Sequence, residues 1–139
     1  MTVTERHEEI LAVEDDDAQA RLLRRVLESA GFQVHTERTG LEALKYAAQH
    51  PVALAILDLR LPDIDGFSVC EELRKRYDSW AVPVVMVTGL DRPIDQVHGY
   101  RSGADVYLTK PYNVAELLQI VGSLLHGPRG SEVSCGCYW

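Results

Sequence analysis

Four places in the chain carry side chains that together could handle a phosphoryl group. Glu14, Asp15 and Asp16 follow the apolar run ILAV, and Asp58 follows ALAIL. Thr88 and Gly89 follow VVMV, and Lys110 with Pro111 follows VYLT. Carboxylates brought together from separate segments repel, so burying them unpaired costs stability. A divalent cation removes that repulsion, and an all-oxygen, carboxylate-rich site suits Mg²⁺. A carboxylate held rigidly beside such an ion can attack phosphorus and form an acyl phosphate. Asp58 is the candidate nucleophile, because the apolar run before it would fix its backbone. The Lys110 ammonium and the Thr88 hydroxyl could offset charge on the transferring oxygens, and Gly89 leaves room beside them.

These groups meet only if the segments before them are strands of one sheet. Short apolar runs recur five times, at 10–13, 32–36, 52–57, 84–87 and 106–108. The first, third and fourth are almost wholly apolar, as parallel strands covered on both faces require. Stretches of helical period separate them. The first, over 18–30, places Ala18, Leu22, Leu23, Val26 and Leu27 on one stripe and meets a stop at Gly31. The second opens on Thr39, three residues before Glu42 as in a capping box, and ends before Pro51. Phe67, Cys70, Leu73 and Tyr77 line the third. The fourth, over 92–101, is the weakest, with Pro93 in its first turn, Gly99 inside it and a thin apolar stripe. Asn113 caps the fifth, which would bury Val114, Leu117, Leu118, Val121 and Leu125. Five β-α repeats predict a doubly wound α/β domain with right-handed crossovers. In such a sheet, ligands bind beyond the carboxyl ends of the strands, where the candidate residues stand.

In order and spacing, ILAVEDD, AILDLRLPDIDG, VVMVTG and GADVYLTKPY make residues 9 to 126 resemble the receiver domain of bacterial response regulators. The resemblance implies a flavodoxin-like, five-stranded parallel sheet of order 2-1-3-4-5. It implies Asp58 as phosphoacceptor and Mg²⁺ or Mn²⁺ as cofactor, held by Asp15, Asp58 and the Arg60 backbone carbonyl, with Glu14 acting through water. Lys110 would contact the phosphoryl group, Thr88 would move toward it, Tyr107 would change rotamer with Thr88, and the Lys110–Pro111 peptide would be cis. The implied donor is a histidine kinase or a histidine phosphotransfer protein. The implied output is a protein partner meeting the face of the fourth helix, fifth strand and fifth helix. Such a domain promotes only its own phosphorylation and dephosphorylation and is not otherwise an enzyme. Two positions depart from the family pattern: Glu14 replaces the more usual aspartate, and Val106 stands where dimerising DNA-binding relatives have an acidic residue.

Each residue also has a plainer role. Asp15, Asp16 and Asp17 could cap the first helix, Asp63 and Asp65 could shape the turn before the third, and Lys110 alone could be a solvated surface lysine. A different class, an aspartyl-phosphate phosphohydrolase, would also use a strand-end aspartate with Mg²⁺. It would place its nucleophile after the first strand with an acid two residues on, whereas Arg60 stands two beyond Asp58. A binding module that keeps the fold without phosphorylation is a third reading, and the joint presence of Asp15, Asp58, Thr88 and Lys110 counts against it.

Composition bounds the rest. The 139 residues suit one domain, with an extension at 1–8 and a flexible extension or expression remnant at 127–139. A receiver module taken from a larger regulator or hybrid kinase would look the same. A net charge of −7 disfavours direct nucleic-acid binding. Neither a bilayer-length apolar run nor a secretory leader is present, so a cytoplasmic location is the expectation. Three cysteines, two of them Cys135 and Cys137 in the tail, do not form a disulfide framework.

Overall fold

A computed structural model describes residues 9–76, 82–89 and 93–126. Five strands and five helices alternate through them: β1 (Glu9–Val13), α1 (Asp17–Ser29), β2 (Gln33–Glu37), α2 (Gly40–Gln49), β3 (Leu54–Leu57), α3 (Gly66–Arg76), β4 (Val84–Thr88), α4 (Pro93–Arg101), β5 (Val106–Thr109) and α5 (Val114–His126). The strands form one parallel sheet in the order β2-β1-β3-β4-β5, the order expected from the resemblance. Tyr77, the stretches 1–8 and 127–139, and the residues 90–92 preceding α4 lie outside the described residues.

The central strands are apolar throughout because both faces of the sheet are covered. Alternation then divides their side chains between two layers. Leu11, Val13, Leu57 and Met86 pack with Phe67, Val69 and Leu73 on the α2 and α3 side. Ile10, Ala12, Ile56 and Val87 pack with Leu27, Leu117 and Val121 on the α1 and α5 side. Val106 joins this second layer, which gives its apolar character a packing role.

Helix ends follow local chemistry. Asp16 caps α1 by accepting from the Gln19 N–H at 3.0 Å. At the other end Gly31, at φ +97°, closes a Schellman turn: its N–H reaches Glu28 O and the Phe32 N–H reaches Leu27 O. The Thr39 hydroxyl accepts from the Glu42 N–H at 3.1 Å, and the Asn113 side chain from the Glu116 N–H at 2.9 Å.

Two apolar stripes are narrower than the sequence suggests. Leu22 is 54% exposed and Ala18 is also exposed, leaving Leu23 and Leu27 as the buried face of α1 with Val26 half-buried. Val114 is 42% exposed, and α5 buries Leu117, Ile120 and Val121 instead. A helix lying on one face of a sheet buries only the arc that touches it, so apolar residues at the edge of a helical-wheel stripe stay in solvent.

Opposite the sheet ends that carry the candidate residues, Arg74 of α3 clamps the turn before β5. Its guanidinium donates to the carbonyls of Gly103 and Val82 and to Asp105 Oδ2 at 2.9 Å, while Asp105 accepts the Val84 N–H at 2.8 Å. The clamp ties the carboxyl end of α3 to the amino ends of β4 and β5.

Candidate functional site

Beyond the carboxyl ends of β1, β3 and β5 three side chains converge. The Lys110 ammonium donates to Asp58 Oδ2 at 2.8 Å and to Glu14 Oε1 at 2.9 Å. Glu14 and Asp58 are only 6% and 8% exposed. Backbone pairing sets all three: the Asp58 N–H is held by Val13 O, the Glu14 N–H by Glu37 O and the Lys110 N–H by Thr88 O. Gly66 fixes the loop after β3. Its N–H donates to Leu59 O, and a Cβ there would lie 2.6 Å from Asp58 O, so only glycine lets α3 start this close to Asp58. The Arg60 N–H donates to Asp58 Oδ1 at 2.9 Å, so each carboxylate oxygen of Asp58 has its own donor.

Burial pushes the Glu14 carboxyl above its ordinary range; the Lys110 hydrogen bond pulls it back and nearby Asp58 pushes it further up. Burial by itself would lower the Lys110 ammonium, but hydrogen bonds to Asp58 and Glu14 outweigh it and the net direction is upward. Two carboxylates thus face one ammonium. This arrangement fits a hard divalent cation, which needs only one or two carboxylates when waters and a phosphate oxygen complete its shell. Glu14 and Asp58 are the carboxylates brought together there.

The other expected residues are placed as follows. Asp15 is exposed at the entrance to α1, and among the described residues no three His, Cys, Asp or Glu side chains gather as a metal cage. Thr88 is fully buried at the end of β4, and Tyr107 is buried with the α2 and α3 layer. Gly89 is exposed, with open space where a Cβ would lie. The Lys110–Pro111 peptide is cis.

Two participants escape sequence reasoning. Gln19, on the first turn of α1, accepts a third hydrogen bond from Lys110 at 2.5 Å across 91 residues of chain. Asp63 reaches beyond its own turn: its carboxylate oxygens accept from the Gly40 and Leu41 N–H groups of α2, each at 2.8 Å. Asp65 does cap α3, accepting from the Ser68 N–H at 2.8 Å. No periodicity or local motif signals the contacts of Gln19 and Asp63, because their partners are distant in the chain.

Comparison with known proteins shows the family and the fold. Residues 10–122 match the family model of the response regulator receiver domain. The DNA-binding dual master transcriptional regulator RpaA of Synechocystis is 42% identical over 116 residues, which cover 84% of this chain and 48% of that protein. The transcriptional regulatory protein SrrA of Staphylococcus aureus is 36% identical over 125 residues, covering 90% of this chain and 51% of that protein. The chain therefore spans about half the length of these relatives. A CheY-like receiver domain from Methanospirillum hungatei superposes with TM-score 0.81 at 31% identity, covering 86% of this chain and 94% of that one. The receiver domain of a signal transduction histidine kinase from Syntrophus aciditrophicus gives TM-score 0.81 at 35% identity, covering 92% and 97%.

Proposed function

Since the chain belongs to the response regulator receiver domains of two-component signalling, we propose that Asp58 accepts a phosphoryl group and that the acyl phosphate switches a protein-binding face. The observation that carries this reading is the pairing of buried Asp58 and Glu14 with the single Lys110 ammonium, at 2.8 and 2.9 Å.

In this reading one Asp58 oxygen attacks phosphorus while the donor's P–N or P–O bond breaks. Sheet hydrogen bonds and the Arg60 N–H keep the carboxylate aimed, so little reorganisation is needed at the moment of transfer. Lys110 keeps its ammonium beside the incoming oxygens. Glu14, Asp15, Asp58 and the Arg60 carbonyl would hold Mg²⁺ or Mn²⁺, which would supply positive charge for the phosphoryl oxygens and relieve repulsion between the carboxylates. Phosphorylation adds about −1.5 to −2 charges to a closely packed site. Thr88, on β4, responds by moving toward it, and Tyr107, on β5, changes rotamer with Thr88.

The donor in this reading is a histidine kinase or histidine phosphotransfer protein. The responding face comprises α4, β5 and α5, where Val97 and Tyr100 of α4 are exposed. Its partner is a protein; the acidic balance of the chain favours that over direct nucleic-acid contact. Among the described residues no helix is long and apolar enough to cross a membrane. The location proposed is the cytoplasm.

Incubation with Mg²⁺ and acetyl phosphate followed by intact mass measurement tests the assignment. One phosphoryl group should be added to the wild type and none to Asp58→Asn. Equal gain in both would remove Asp58 from the role, and multiple turnover of a phosphoester would favour a hydrolase.

A further inference from the structure

Lys110 is held by more than the two carboxylates, and its third partner belongs to a closed circuit. Glu14 Oε1 accepts from Lys110, and Glu14 Oε2 accepts from the Asp16 N–H at 3.2 Å. Asp16 Oδ1 accepts from the Gln19 N–H at 3.0 Å, and Gln19 Oε1 accepts from Lys110 Nζ. Four hydrogen bonds thus return to the residue they started from, joining the end of β1, the first turn of α1 and the end of β5.

A lysine ammonium is a point charge on a flexible four-carbon stem with three donors. Asp58 and Glu14 take two of them, and the third points toward α1. An acidic side chain there would add a third carboxylate against one ammonium. A water would leave the stem free to swing. The Gln19 amide oxygen accepts the third N–H without adding charge, and its own backbone is pinned by Asp16.

We propose that Gln19 is a positioning residue for phosphoryl transfer, fixing the Lys110 ammonium over Asp58 through the circuit Glu14–Asp16–Gln19–Lys110. This rests on the phosphoacceptor reading of Asp58. Gln19 touches neither donor nor acceptor, and it acts through Lys110.

The test uses the full chain in three forms: wild type, Gln19→Met and Gln19→Glu. Methionine keeps the length and helix propensity of the side chain and removes the acceptor; glutamate keeps the acceptor. The first readout is the Lys110 Nζ signal in ¹⁵N-detected NMR of metal-free protein, assigned by its loss in Lys110→Met. Hydrogen-bonded ammonium protons exchange slowly enough to be seen, so the signal should be present in wild type and Gln19→Glu and lost in Gln19→Met. The second readout is the rate of mass gain with acetyl phosphate and Mg²⁺, which should fall about three- to tenfold in Gln19→Met, as loss of one ordinary solvent-exposed hydrogen bond implies. Urea midpoints should match across the three forms, since Gln19 is exposed. A Lys110 signal and a rate unchanged in Gln19→Met would overturn the proposal and leave Asp58 as acceptor. Loss of the signal in Gln19→Glu as well would also overturn it. Failure of the wild type to gain a phosphoryl group would overturn both this proposal and the reading it rests on.

Discussion

Glu14 places a carboxyl where burial penalises charge. Its carboxyl is buried beside Asp58, and both effects push its titration upward while Lys110 only partly reverses them. A carboxyl raised in the folded state stabilises the fold most at low pH, and that contribution is lost as pH rises through the folded value. Glu14→Gln keeps an oxygen for Lys110 and has no charge to bury. Without divalent metal it should therefore melt above the wild type at pH 7.5, by about 3 °C, the shift that roughly 1 kcal/mol gives a chain of this size. The gap should close as pH falls through the ordinary carboxylate range, and adding Mg²⁺ should narrow it from the wild-type side. Differential scanning fluorimetry across pH, with and without Mg²⁺, checks all three. At this scale sequence reasoning reached Glu14, Asp58 and Lys110 because each follows an apolar run. It missed Gln19 because nothing local to DDAQARLL marks a side chain that reaches β5.

The elements were legible where burial is two-sided. The runs before Glu14, Asp58 and Thr88 become β1, β3 and β4, with ends shifted by a residue or two where ladder hydrogen bonds begin. Side-chain placement around helices was less legible, since periodicity does not show how wide an arc the sheet will cover; Leu22 and Val114 are the cost of that. The start of α2 is the clearest case of tertiary control. Its free N–H groups at Gly40, Leu41 and Glu42 are satisfied by Asp63, Asp63 and Thr39, so the loop after β3 and the helix after β2 hold each other. Hydrogen bonds to Leu41 and Gly40 outweigh the effect of desolvation and hold the Asp63 carboxyl below its ordinary range. A depressed carboxyl stabilises at pH above its unfolded value and loses that contribution as pH falls through the folded one. Asp63→Ala should accordingly cost about 1 kcal/mol at pH 7, as lost helix caps do. In urea melts the difference from wild type should shrink on acidification.

Over the whole molecule, alkaline pH acts on groups far from the candidate site. Burial pushes the Cys70 thiol from 9.0 up to about 11. Partial burial and the Glu9 hydrogen bond push the Tyr46 phenol from 10.0 up to about 12. Both are raised in the fold, so the stability they contribute is complete below pH 9 and is lost as pH climbs from about 9 to about 12. Cys70→Ala should lose less stability between pH 9 and 11 than wild type does, in urea melts at fixed temperature. Iodoacetamide at pH 8 should leave Cys70 unmodified until the chain unfolds, read by peptide mass. The sheet that buries Cys70 on one side has a second consequence. Its apolar layers share no side chain, so α1 and α5 are separated from α2 and α3 by a wall of strands. The wall ends where Asp58, Thr88 and Lys110 stand. Under the proposed function this makes the rim of the sheet a place where one phosphoryl group can act on both layers at once. Sequence drift within either layer can then tune how firmly the domain holds together while leaving the conversation across the rim intact.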